Sequence, residues 1–182
     1  MGAFMSVKFS HYQFGPYQFL YKDVQCSMEQ LGQHYRPLYV KMNKHFKFSK
    51  AGGIFHDNPH LLQNPKKCRT CIGIFVNQGE NHKIKNFLNE FGDEFKQTQI
   101  HLRNTYKFSF PYRNIFSFLI GALKVYPKYL PFVQQKQIKD LGCPIEYYGK
   151  NIDFIFPYGE DEQKQTFLSK FPQPKFKGNI GC

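Results

Sequence analysis

FHDNPHLLQNPKKCRTCIG, residues 55–73, can be read in two ways. His56 and His60 stand four residues apart and Cys68 and Cys71 form a CxxC, so the stretch offers four zinc ligands. A structural zinc draws its ligands to about 2.0–2.3 Å of one point. CRTCIGIFV, however, reads as a strand and not as a knuckle turn. Positions three apart in a strand point to opposite faces. Cys68 and Cys71 therefore diverge, which disfavours both a shared metal and a local disulfide. His56 and His60 flank Asn58-Pro59, where proline sets a turn. The stretch is expected to be a Pro- and Asn-rich loop running into a strand, with no metal and no cofactor. The Asp57 carboxylate suits such a turn, because it can accept nearby backbone N–H groups. Arg69 can fork onto a carboxylate or onto loop carbonyls. Asp57, Pro59 and Arg69 are thus expected to hold the loop and not to act on a substrate.

The chain has 182 residues, 41% apolar and 21% charged, which fits one ordinary domain or two small repeats sharing a core. It holds 21 Phe, 12 Tyr and no Trp, enough rings to build a core or to line a cleft. The formal net charge of +12 favours acidic partners: nucleic acid, anionic lipid or acidic protein surfaces. The cations are scattered, with the densest cluster over residues 41–50, and no RNA-binding signature or basic helix stripe accompanies them. Nucleic acid is therefore the least expected partner. No window approaches the about 20 apolar residues that span a bilayer; the most apolar run, 115–125, is shorter. No secretory signal is visible, so the five cysteines are expected as reduced thiols in an intracellular, non-secreted protein. MGAFMS fits the M-G-x-x-x-[ST] pattern, which makes Gly2 a lipidation candidate beside the plainer reading of a start leading into a strand.

Residues 3–14 alternate loosely as a strand, and Gly15-Pro16-Tyr17 is expected to turn the chain. Ser27 with Gln30 fits a capping box. Leu31, Tyr35, Leu38, Tyr39, Met42 and Phe46 then fall at helical intervals, with Pro37 as a kink or break. Ala51-Gly52-Gly53 breaks that pattern. Ile54-Phe55 and residues 70–76 read as strands, and 82–91 as a short helix. Residues 96–110 alternate as a long strand. A second helix covers 115–137, interrupted near Pro127 and Pro131, and strands follow at 145–148 and 152–156. The order strand, helix, strand, strand occurs twice, over residues 3–77 and 95–157. Residues 1–158 form one domain on this reading, with a polar tail at 159–182. The repeat predicts an α+β fold whose halves pack through their sheets, with a cleft at the pseudo-two-fold.

DNPHLLQNPKKCR, with a glycine and an apolar run after it, resembles the signature hairpin of GyrI-like (gyrase-inhibitor-like) effector-binding domains. The matching positions are Asp57, Pro59, Pro65, Cys68, Arg69 and Gly73. GPY at 15–17, FPY at 110–112, VYP at 125–127 and PIEYYGKNIDFIFP at 144–157 follow in consistent order. Within that superfamily they are most similar to the testis-expressed protein 264 family. The resemblance covers residues 3–158 and implies duplicated strand–helix–strand–strand modules, whose antiparallel sheets curve around a cleft with helices outside. It implies a cleft for cationic or aromatic small molecules, to which a glutamate of the penultimate strand contributes; in some members that glutamate serves hydrolysis. Glu146 is the matching residue. The testis-expressed protein 264 family also implies a membrane anchor and a tail motif that recruits autophagy machinery. This chain begins almost directly with a strand, and Lys170, not an aliphatic residue, stands three after Phe167. An autophagy-receptor role is therefore not expected.

A carboxylate among rings can neutralise a cation that the rings also attract, and burial would raise its pKa into a range useful for acid–base chemistry. Glu146, Tyr147, Tyr17 and Tyr112 form the candidate ligand-binding set, beside the plainer reading of Glu146 as a solvated strand residue. No G-x-S-x-G, P-loop or H-E-x-x-H is present, although five Cys and seven His leave a Cys–His pair open. The favoured expectation is a non-catalytic binding or scaffold protein: an accessory subunit of a larger membrane-associated assembly such as a mitochondrial respiratory one. Its setting would be the cytosol or the mitochondrial inner membrane. Its partners would be proteins first, with an anionic membrane surface or a small molecule as further candidates. The alternative is a soluble sensor of aromatic or cationic ligands, or a hydrolase, using Glu146. An open aromatic cleft with Glu146 at its base would favour the alternative; one filled by the protein's own side chains would favour the scaffold.

Overall fold

The computed structural model describes residues 6–46, 50–57, 68–114 and 116–159. In chain order the elements are β1 (Ser10–Cys26), α1 (Met28–His45), β2 (Lys50–Phe55), β3 (Cys68–Asn77), α2 (Asn81–Phe91), β4 (Lys96–Pro111), α3 (Phe116–Gln135), β5 (Ile145–Tyr148) and β6 (Asn151–Pro157). Every pairing is antiparallel. β1 lies between β3 and β4; β2 continues from β3, and β6 then β5 continue from β4. β2 also pairs with β5, residues 51–54 against 145–148. That ladder closes the strands into a six-stranded barrel. The expected pair of sheets curved around an open cleft is therefore incorrect: the two sheet edges that would have bordered the cleft bond to each other, and closure removes both edges.

The closing ladder depends on glycine. Ala51-Gly52-Gly53, read from sequence as a break, lies inside β2. A Cβ on Gly52 would collide with the main-chain oxygen of Glu146 and stand 2.7 Å from the Phe75 ring. One on Gly53 would stand 2.6 Å from Tyr35 Oη. Strand-interior glycine costs chain entropy, and close approach of backbones is a common reason for it. Gly15-Pro16-Tyr17 is likewise not a turn. β1 runs straight through it, with register shifts against β4 between Tyr12 and Phe14 and between Phe14 and Tyr17. Gly15 has φ 102°, and a Cβ there would strike the Ile100 carbonyl oxygen, so the motif is an irregularity of the bulge kind.

The helices start and continue for local reasons. Ser27 Oγ accepts from Gln30 N at 3.3 Å, and Gln30 Oε1 accepts from Ser27 N at 3.3 Å, a reciprocal cap for α1. Pro37, Pro127 and Pro131 do not end their helices. All three sit on the exposed side, where the carbonyls left without a helical donor can meet water.

Strand alternation divides the core into three layers. Phe14, Phe19, Tyr21, Ile54, Cys71, Phe75, Ile100, Ile145 and Ile155, drawn from all six strands, fill the barrel. Outside it, Leu20, Ile72, Ile74 and Val76 pack under α1 and α2. Phe108, Phe110, Phe154 and Phe156 pack under α3. Cys68 belongs to an outer layer and Cys71 to the interior, so they face opposite sides of β3. Inside, the Phe19 and Phe75 rings stack at 4.4 Å, and Phe75 contacts Phe14 at 5.2 Å and Tyr147 at 5.5 Å.

If close approach is what the seam needs, Gly52→Val should lower stability by about 3 kcal/mol, because neither backbone can yield. Gly32→Ala, in α1 with nothing near the added methyl, should raise it by about 0.5–1 kcal/mol. Urea midpoints of the two variants check both signs, and equal effects would show that the seam tolerates a side chain.

Candidate functional site

In β5, Ile145 and Tyr147 point into the barrel while Glu146 and Tyr148 point out of it, under α3 and α1. Glu146 is only 5% exposed. Tyr126 Oη of α3 donates to its Oε1 at 2.8 Å, and Tyr148 Oη donates to its Oε2 at 2.8 Å. Burial raises the Glu146 pKa above the ordinary carboxylate value, and the two hydroxyl bonds pull it partly back. Burial and the facing carboxylate hold both tyrosines far from ionising. Tyr35 of α1 completes the group. Its ring lies 5.5 Å from that of Tyr148, and its buried hydroxyl makes no hydrogen bond of good geometry. Each carboxylate oxygen thus has a donor from the chain itself, beneath two helices.

The four residues expected to form one ligand site are not brought together. Tyr147 and Tyr17 lie in the barrel, 5.7 Å apart, within the aromatic packing. Their rings and the Glu146 carboxylate are on opposite sides of the sheet, as adjacent strand residues must be. Tyr112 is exposed on the outer surface against Phe118, at 5.3 Å. Gly2 and Pro59 lie outside the described residues. Asp57 and Arg69 do meet. Asp57, 2% exposed, accepts from Arg69 N at 2.8 Å, from Nε at 3.0 Å and from Nη2 at 2.7 Å. This fork ties the chain just after β2 to the start of β3. Its partner is the arginine and its own amide, where sequence suggested nearby turn amides.

Beside the fork lies a chain of hydrogen bonds that sequence reasoning did not assemble. Cys143 Sγ is 3.5 Å from His56 Nδ1, and His56 Nε2 is 3.1 Å from Cys71 Sγ. Cys71 Sγ donates to Asp23 Oδ1 at 3.1 Å, and Lys96 Nζ donates to Asp23 Oδ2 at 2.5 Å. A neutral imidazole with its proton on Nε2 satisfies every link: Cys143 donates to His56, His56 to Cys71, and Cys71 to Asp23. Burial, then the Arg69 charge, lowers the His56 pKa to about 4, which keeps the ring neutral. Burial, reinforced by Asp23, pushes the Cys71 thiol up, so it stays protonated and a poor nucleophile. Cys68 is pushed up to about 12, chiefly by burial. The imidazole stands between the two sulfurs, so these groups do not converge on a metal position; among the described residues no three His, Cys, Asp or Glu side chains do. His56 and Cys71 both lie in the opening stretch, and the β2–β3 hairpin brings them together. Cys143 comes from the far end of the chain and carries no sequence signal.

Two outcomes follow. Asp57→Ala removes the carboxylate but leaves Arg69 behind, and should cost about 3 kcal/mol in denaturant unfolding; no change would remove the fork from the structural account. The depressed His56 pKa means that the unfolded chain binds the extra proton between its ordinary pKa of 6.5 and about 4. Stability contributed by neutral His56 is complete above the unfolded value and should be lost as pH falls through that window, by about 3 kcal/mol at most. His56→Gln should flatten that slope in melts taken across the window; an unchanged slope would show that other groups cause it.

No protein-family model and no curated protein sequence matches the chain. Among solved structures it is similar to a hydrolase from Listeria innocua, with 12% identity, a TM-score of 0.49, and coverage of 84% of this chain and 92% of that one. It is similar also to an integron cassette protein from the mobile metagenome of Vibrio cholerae, with 10% identity, a TM-score of 0.48, and coverage of 84% and 95%.

Proposed function

We propose that the chain is a non-catalytic binding protein: an accessory subunit docked on a larger membrane-associated assembly, in the cytosol or on the mitochondrial inner membrane. The observation that supports this most is the filled barrel. Phe14, Phe19, Tyr21, Phe75 and Tyr147 occupy the space in which an effector would sit. A sensor or hydrolase would need the Glu146 carboxylate facing that space, and it faces the helices instead, with both oxygens taken. Free, buried Cys26, Cys68 and Cys71 fit a reducing compartment. On the positive side, five large apolar side chains stand exposed on or beside α3, a surface of the kind that meets a protein partner or a membrane.

Glu146→Gln tests this reading. The amide can still accept from Tyr126, and it can donate to Tyr148, freeing the Tyr148 proton for the unsatisfied Tyr35 oxygen. Because the folded-state pKa of Glu146 is raised, its favourable contribution exists below the unfolded value and is lost as pH rises through the folded value. The variant should therefore match wild type in acid and equal or exceed it at neutral pH. Sizing of native extracts should find wild type and variant in the same large complex. A chain that migrates alone, binding aromatic cations at about micromolar level in a way that the variant loses, would overturn the proposal.

A further inference from the structure

Residues 95–139 hold eight of the chain's Lys and Arg and none of its 13 Asp and Glu. α3 lies inside this acid-free segment. Its inner face, with Val125, Tyr126, Tyr129 and Val133, packs on the barrel. Its outer face is also apolar: Phe116 is 65% exposed, Leu119 59%, Ile120 39% and Leu123 55%. Those positions are spaced three, four and seven from the first, so they form one stripe. Tyr112, 44% exposed, lies just ahead of the helix against Phe118. Five of the seven exposed large apolar side chains among the described residues lie here. A helix apolar on both faces has its outer face covered in use.

Cations border the stripe. Arg113 is exposed next to Tyr112, and exposed Lys150 meets the same end, where Tyr112 N donates to the Lys150 oxygen at 3.4 Å. Lys124 and Lys128 share a surface groove with Leu123 and Pro127 on the side away from that end. Among the described residues, the Glu146 carboxylate is buried beneath the helix, and that of Asp153 accepts from Ser109 Oγ at 2.6 Å.

We propose that this face rests on an anionic bilayer surface. α3 lies in the plane of the membrane, its first two turns place Phe116, Leu119, Ile120 and Leu123 at the acyl boundary, and Arg113, Lys124, Lys128 and Lys150 meet lipid phosphates. An apolar stripe with basic flanks is the pattern of an interfacial helix. The prolines set the depth. Pro127 and Pro131 leave the Leu123 and Pro127 carbonyls without helical donors on the exposed side, so the second half of the helix stays where water or headgroups can reach them. Contact is peripheral, since no helix among the described residues is long and apolar enough to cross a membrane. The proposal names the surface on which the subunit sits and so rests on the membrane-associated reading above.

The native chain has no Trp, so Phe116→Trp makes a full-length protein with a single emitter on the stripe. With vesicles of phosphatidylcholine and phosphatidylglycerol, its emission should shift to the blue and the protein should sediment with them. Partition should fall about tenfold on phosphatidylcholine alone, in high salt, and in Lys124→Glu/Lys128→Glu. Leu119→Asp should also lower it about tenfold; this site is exposed, so a circular-dichroism melt matching wild type certifies the fold. No shift and no sedimentation with anionic vesicles would overturn the proposal, as would equal binding by the Asp variant. Absent vesicle binding, loss of the Leu119→Asp chain from its native complex would mean that the face meets a protein, overturning this inference while the subunit reading stands. Vesicle binding by a chain that migrates alone would do the reverse.

Discussion

The contact of Gly52 with the Glu146 backbone is the constraint on which the rest of the structure turns. Four residue pairs join β2 to β5. Without them the strands would end in two free edges, and the interior would be a trough open to solvent. With them the interior is sealed, and it must be packed to the density of a protein core. The chain fills it with rings, Phe14, Phe19, Phe75, Tyr21 and Tyr147, and sets further phenylalanines in the layers between barrel and helices. Closure at this seam also fixes which residues of β5 face inward. Ile145 and Tyr147 go to the barrel, and Glu146 and Tyr148 go to the helix layer, because a strand offers no other arrangement.

A sealed barrel moves recognition to the outside and to the barrel ends. Two features lie there. At one end the Cys143–His56–Cys71–Asp23 chain is a satisfied polar network in which every proton has a place, an arrangement that specifies one geometry. On the outside, α3 presents an apolar stripe that stands exposed among the described residues. The first feature uses up its donors and acceptors internally; the second leaves its surface unspent. Binding is therefore better sought along α3 than at the thiols.

Much of the local structure was legible. Ser27 and Gln30 announce the start of α1, and the 3.6-residue spacing from Leu31 to Met42 carries it through Pro37. Alternation in residues 96–110 announces β4. Closure was not legible, because the signal for it is glycine at 52 and 53, and the same residues also end helices and make turns. Gly15-Pro16-Tyr17 misled for the same reason: its composition is that of a turn, and only its partner strand reveals a bulge. Glu146 beside Tyr147 suggested one site because sequence neighbours look like spatial neighbours, whereas strand geometry alone already separates them. The partner of Asp57 was half legible, as both it and Arg69 lie in the opening stretch. Cys143 was not, since 87 residues separate it from His56.

The buried carboxylate and the exposed stripe are linked through one helix. Glu146 holds Tyr126, and Tyr126 fixes the rotation of α3 about its own axis. Turning α3 by one residue, about 100°, would take the Tyr126 hydroxyl off Glu146 and leave a buried carboxylate short of a donor. The same turn would carry Leu119 and Leu123 toward the barrel and bring Lys124 nearer the outer face. Apolar side chains lie on both faces of the first turns of α3, so the hydrophobic core alone discriminates weakly between such settings. A polar contact whose loss is costly makes that choice. Tyr148 extends the same contact toward Tyr35, so α1 and α3 are both referred to one residue of the closing strand. Glu146 thus acts on the outer surface without touching it: it decides which face of α3 the protein presents.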